Sequence, residues 1–154
     1  MSIQLSGADV VDLAVQAETR GEAFYRAAAA QATGEAQALF AHLADEELRH
    51  KRNFEGLAAQ IVLTDFDPTA WQETLEYIAA TVDSEFFRPD APIRTVALQD
   101  SVPGMIRQAI EFEKQSILFF YTLRDVVQEA NRPLVTAILA EERDHVRRLA
   151  RMLP

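Results

Sequence analysis

The chain contains no cysteine, and that one absence removes several chemistries together. Disulfides, thiolate-bound zinc, thiol redox couples and cysteine nucleophiles all require a sulfur that is not there. Glycine and proline are scarce, at five and six of 154 residues, so breaks between elements are few. A long apolar run is also missing, because no stretch approaches the ~20 apolar residues of a membrane span. The opening residues Met1 to Ser6 lack a basic region followed by an apolar run, so no signal peptide is expected. A cytoplasmic location without a membrane partner is the default. Positive charge is in deficit as well. A net charge of −9 argues against a nucleic-acid partner, since a phosphate backbone would be repelled. Such an excess is often a solvated surface, but it also fits carboxylates that await cations.

What is present favours helix. The residues are 49% hydrophobic and 25% charged, as in a folded soluble chain. Their number suits one domain, residues 1–154, and is enough to bury a core without staples. Ala, Leu, Glu, Gln and Arg fill long stretches, and these are strong helix formers. Val11, Ala14, Val15, Phe24 and Tyr25 recur mostly at three- and four-residue steps, which predicts a first helix from about Gly7 to Ala32 with Ser6 as N-cap. Thr33-Gly34 makes a short turn, and Thr33 could cap the next helix. Leu39, Phe40, Leu43, Phe54, Leu57 and Ile61 mark the apolar stripe of that second helix, from about Glu35 to Val62.

From Leu63 to Val102 the pattern changes, with Pro68, Pro89 and Pro92. Asp67-Pro68 is a helix-start signal. Trp71, Leu75, Ile78 and Val82 then predict a short amphipathic helix to about Asp83, with Trp71 as its anchor on the rest of the protein. A third long helix is expected from about Pro103 to Gln128. A fourth is expected to be capped by Asn131 and to run to about Met152. Two antiparallel hairpins joined by one long crossover describe an all-α, ferritin-like four-helix bundle.

An internal repeat at an offset of 95 residues carries the chemistry. Glu18 maps on Glu113, Glu47 on Glu142, and His50 on His145. Ala14, Phe24 and Glu46 map on the identical residues Ala109, Phe119 and Glu141. Each half therefore reads Glu, then 29 residues later Glu-x-x-His. Only three histidines occur in the chain, and two of them stand in this pattern. Residues i and i+3 share a helix face, so Glu47 with His50, and Glu142 with His145, address common points. One Glu from each of two helices plus Glu-x-x-His from each of the others is the carboxylate di-metal arrangement. Four carboxylates with two imidazoles suit iron or manganese better than copper or structural zinc.

A lone Glu-x-x-His is usually a solvated face, and Glu18 or Glu113 alone could be surface ion-pairing residues. Phenylalanines crowd their faces, however, and buried carboxylates need partners. Glu22 maps on Ile117 and reads as exposed, or as a neighbour of the ligands. Glu46 and Glu141 sit about 100° around the helix from Glu47 and Glu142, so a solvated face or a contact with another subunit is expected there. His42 maps on Ala137 and reads as a surface or packing residue.

At these residues the sequence resembles the ferritin-like superfamily, and within it the rubrerythrin di-iron group. The phrases are Ala17-Glu18-Thr19-Arg20-Gly21-Glu22-Ala23-Phe24-Tyr25 and Leu43-Ala44-Asp45-Glu46-Glu47-Leu48-Arg49-His50. In the second half they are Ala109-Ile110-Glu111-Phe112-Glu113-Lys114 and Leu139-Ala140-Glu141-Glu142-Arg143-Asp144-His145. The resemblance implies two iron ions, bridged by Glu47 and Glu142. Glu18 with His50 would complete one shell, and Glu113 with His145 the other. Tyr25, about two turns beyond Glu18, would be a hydrogen-bond donor behind the ligands or plain core. Two departures stand out. Rubrerythrins proper carry a cysteine-ligated rubredoxin domain, which a cysteine-free chain lacks. Their further carboxylate on the third long helix is replaced here by Ser116.

Three functions fit. One is a di-iron oxidoreductase using O₂ or H₂O₂ with an external electron donor, as peroxidase or ferroxidase. Another is an iron-binding or storage protein without turnover. The third is a metal-free helical interaction module. A homodimer is the expected assembly.

Overall fold

The structure, a computed structural model, describes residues 7–58, 73, 76, 77, 80 and 91–154. Helix α1 spans Gly7–Gln31 and α2 spans Gly34–Ala58. A short α3 covers Ala91–Ala97, α4 covers Val102–Val126, and α5 covers Arg132–Arg151. No strand occurs among the described residues, and no described helix is long and apolar enough to cross a membrane. The architecture is an all-α four-helix bundle of the ferritin-like kind.

The long helices follow the apolar stripes closely, with local differences. The turn between α1 and α2 rests on Gly34, whose φ of 62° is left-handed and favours a residue without Cβ. Ser101 caps α4 by accepting a hydrogen bond from the Gly104 N–H at 3.2 Å, and Pro103 follows in the first turn. Asn131 behaves otherwise than expected. It closes a 3₁₀ turn, Glu129–Asn131, and its side chain makes no capping bond to α5. Helix α3 was not foreseen. Ser6, Ile61, the reach of α2 towards Val62, and the stretch with Trp71, Leu75, Ile78 and Val82 lie outside the described residues. Within that stretch Glu73, Glu76, Tyr77 and Ala80 are helical and exposed.

Two apolar clusters fix the directions of the helices. One contains Val10, Ala14, Phe54, Phe120, Leu123, Val135 and Leu139. The other contains Phe24, Tyr25, Phe40, Leu43, Ile106, Ala109 and Leu149. Along α1 and α5 the chain runs from the first cluster to the second. Along α2 and α4 it runs from the second to the first. So α1 opposes α2, α4 opposes α5, and α2 runs parallel to α4. Parallel helices cannot be joined by a tight turn, which is why a long crossover separates α2 from α4. Helix α3 lies at the end of that crossover and packs on α1, with Val96 buried in the second cluster.

Between the two clusters, each long helix passes through one polar layer. Glu18 stands there on α1, Glu47 and His50 on α2, Glu113 on α4, and Glu142 and His145 on α5. The rings of Phe54 and Phe120, 5.1 Å apart, close one side of it. Those of Tyr25 and Phe40, 6.2 Å apart, lie on the other.

Phe54 is fully buried, so Phe54→Ala should destabilise the protein by about 3–5 kcal/mol in urea denaturation. Leu118→Ala, at an exposed position, should stay within about 0.5 kcal/mol. Similar losses for both would contradict the core described.

Candidate metal centre

All six repeat-related residues converge in the polar layer, and each is at most 3% exposed. Their ligand-type atoms form two groups, within each of which all lie within 4.8 Å of one another. Glu18, Glu47, His50 and Glu142 make one group. Glu47, Glu113, Glu142 and His145 make the other. Glu47 and Glu142 therefore belong to both, and the two imidazole rings stand nearly parallel, with centroids 5.7 Å apart.

Both imidazoles turn Nδ1 inward. His50 Nδ1 is 2.8 Å from Glu142 Oε1 and 3.7 Å from Glu18 Oε1. His145 Nδ1 is 3.2 Å from oxygens of Glu47, Glu113 and Glu142. These approaches largely fail as hydrogen bonds. Glu18 Oε1, Glu47 Oε1, both oxygens of Glu142 and His50 Nδ1 are buried without a partner of acceptable hydrogen-bond geometry. Orphaned buried acceptors are costly. Donor atoms aimed at a common point rather than at each other are what a cation site requires. Two divalent ions would also balance the four carboxylates in charge. The residues present thus fit a pair of metal ions.

Without cations, protons must do that work. Burial, and then the charge of Glu142, push the Glu113 carboxyl up to about 8. Burial and neighbouring carboxylates likewise raise Glu18 and Glu47. Burial disfavours a charged imidazole at His50, but the adjacent Glu142 outweighs it and raises the group to about 9. His145 is also raised, with four carboxylates overcoming its burial. Burial and the charge of Glu47 would raise Glu142, but His145, His50 and Glu113 together outweigh them and shift it downward.

Tyr25 donates its hydroxyl hydrogen bond to Glu113 Oε1. The residue is also part of the core, so packing and hydrogen bonding coexist. Burial and the Glu113 carboxylate raise its pKa, which keeps the phenol protonated.

The outer nitrogens of the imidazoles meet residues that helix geometry alone did not single out. His50 Nε2 is hydrogen-bonded to Glu141 Oε2 at 2.9 Å, whereas His145 Nε2 lies 3.2 Å from Glu46 Oε2 at ion-pair distance without hydrogen-bond geometry. The contacts cross between the halves: the acid next to Glu47 reaches His145, and the acid next to Glu142 reaches His50. Arg49 pairs with Glu141, and Arg148 with Glu46. Burial opposes the Glu46 charge, yet His145 and Arg148 bring its carboxyl down to about 2. A carboxylate behind an imidazole fixes ring orientation and raises basicity. The solvated or intersubunit role expected for Glu46 and Glu141 is thus replaced by an intramolecular one. Their faithful repetition at the offset of 95 was the available signal. His42 is largely exposed and 3.5 Å from Glu46. Glu22 pairs with Arg26 at the surface and does not join the layer.

The Rubrerythrin family model matches residues 9–153. A crystal structure from Thermotoga maritima, of a candidate ferritin-like diiron-carboxylate protein, is similar with a TM-score of 0.71. The two sequences are 26% identical, and the match covers 96% of this chain and 94% of that one. No curated protein matches the sequence. Fold, family and buried cluster together indicate a site for two metals.

The raised groups give the metal-free protein a defined pH response. Glu113 prefers its proton when folded, so its stability contribution is complete below about 4.5 and is lost as pH rises through about 8. His50 contributes fully below about 6.5 and loses that contribution as pH rises through about 9. The thermal midpoint of chelator-treated protein should therefore fall from pH 6 to pH 9.5. Metal-loaded protein should lose less over that interval, because bound cations replace the protons. A metal-free midpoint that rises over the same interval would contradict the electrostatics described.

Proposed function

Because the chain belongs to the rubrerythrin family, whose model spans nearly all of it, we propose that it is a di-iron oxidoreductase acting on hydrogen peroxide or dioxygen. The observation that carries this reading is the sharing of Glu47 and Glu142 between two buried four-residue groups. A bound iron pair would supply two electrons to the oxidant, and an external donor or ferrous iron itself would restore them.

In this reading Glu18 and His50 complete one shell, Glu113 and His145 the other, and Glu47 and Glu142 serve both. Glu141 holds His50 with Nδ1 inward through a hydrogen bond, Glu46 faces His145 as an ion pair, and Arg49 and Arg148 keep those two acids ionised. Tyr25 orients Glu113 and retains a proton beside it. The phenylalanines on either side of the layer exclude water, which strengthens every charge interaction within it.

Anaerobic Fe(II) should bind at about two per chain, and added H₂O₂ should oxidise it faster than it oxidises iron in buffer. Glu47→Ala and Glu142→Ala should each abolish the binding while leaving the helical content intact. Equal oxidation rates with and without protein would refute the oxidoreductase reading. Normal binding by both variants would refute the ligand assignment.

A further inference from the structure

Gly21 lies within α1, one turn after Glu18, and is buried. It has no left-handed φ, so its backbone conformation is open to any residue. In a helix interior glycine is among the poorest choices. The reason for it lies in its surroundings. A Cβ built on Gly21 would stand 2.8 Å from Glu47 Oε2, 3.0 Å from Glu47 Cδ and 3.2 Å from Glu47 Cγ. Real Cβ atoms essentially never show the first of these distances. The shared carboxylate thus rests directly against the α1 backbone, in the space a side chain would take. By contrast, Gly56 in α2 has no atom within 4 Å of such a Cβ. The repeat position of Gly21 on α4 is Ser116, small and buried but bearing a Cβ. The two halves therefore differ at this point.

We propose that Gly21 is a positioning residue for Glu47: its missing side chain is the seat that places the shared carboxylate between the two ligand groups. The functional consequence rests on the di-metal reading above. To reach ordinary contact with an alanine at position 21, Glu47 must move by several tenths of an ångström. That exceeds the tolerance of about 0.2 Å within which metal–ligand distances are held.

The test is a double-mutant cycle on metal-free protein, with cobalt binding as a second readout. Glu47→Ala removes the three atoms that a Cβ would meet. In that background Gly21→Ala should raise the thermal midpoint by about 2–4 °C, the helix-propensity gain alone. In the wild-type background it should raise the midpoint less or lower it. Failure of the single variant to fold while the double variant folds is the extreme of the same result. Equal shifts in both backgrounds would overturn the proposal. With Glu47 present, Gly21→Ala should weaken Co(II) binding about 10–100-fold and change the visible absorption of the bound ion. Affinity and spectrum matching wild type would overturn the positioning role even if the cycle were non-additive. If wild-type protein binds no metal, the di-iron reading fails by itself, and the metal-free cycle still decides whether Gly21 seats Glu47.

Discussion

The structure depends on one electrostatic constraint: four carboxylates and two imidazoles are held out of water at the centre of an apolar bundle. An isolated carboxylate resists such burial strongly, and four of them also repel one another. Something positive must therefore share the layer. In metal-free protein, protons and imidazolium serve, which is why Glu113 and His50 are shifted to about 8 and about 9. Two divalent cations would serve better, because they balance the carboxylates and satisfy the atoms left without hydrogen bonds. The site is a strained arrangement for the polypeptide alone and a natural one for a dinuclear centre.

The rest of the fold holds that layer in place. Apolar clusters above and below it draw buried side chains from all four long helices, aromatic on the first three and aliphatic on α5, so no helix can slide without moving a core residue from its seat. Outside the layer, Glu46 and Glu141 cross between halves to hold the imidazoles, and each is held in turn by an arginine. The order is apolar packing, then charged clamp, then ligand atom. Each step narrows the freedom of the next. Gly21 adds a negative feature to the same design, a place where the absence of an atom locates the carboxylate beside it.

Much of this could be read in the sequence, because the duplication wrote the pattern twice. Glu18, Glu47 and His50 recur as Glu113, Glu142 and His145, and helical i, i+3 geometry brings each Glu-x-x-His onto one face. The helix directions came from turn lengths. What escaped reading was tertiary. Helix α3 has seven residues, too few for a period to emerge. Glu46 points away from the face of Glu47 on its own helix, so only the neighbouring helix gives it a role. Gly21 looks like a weak helix residue until the position of Glu47 is known. Asn131 carries a good capping residue type, but the 3₁₀ turn before α5 takes its backbone elsewhere.

The most direct test of the dinuclear centre is anomalous X-ray scattering at the iron edge from crystals of iron-loaded protein. Two peaks enclosed by Glu18, Glu47, His50, Glu113, Glu142 and His145, with Glu47 and Glu142 reaching both, are the expected result. A single peak, or iron bound only at surface acids with the six side chains paired among themselves, would contradict the account.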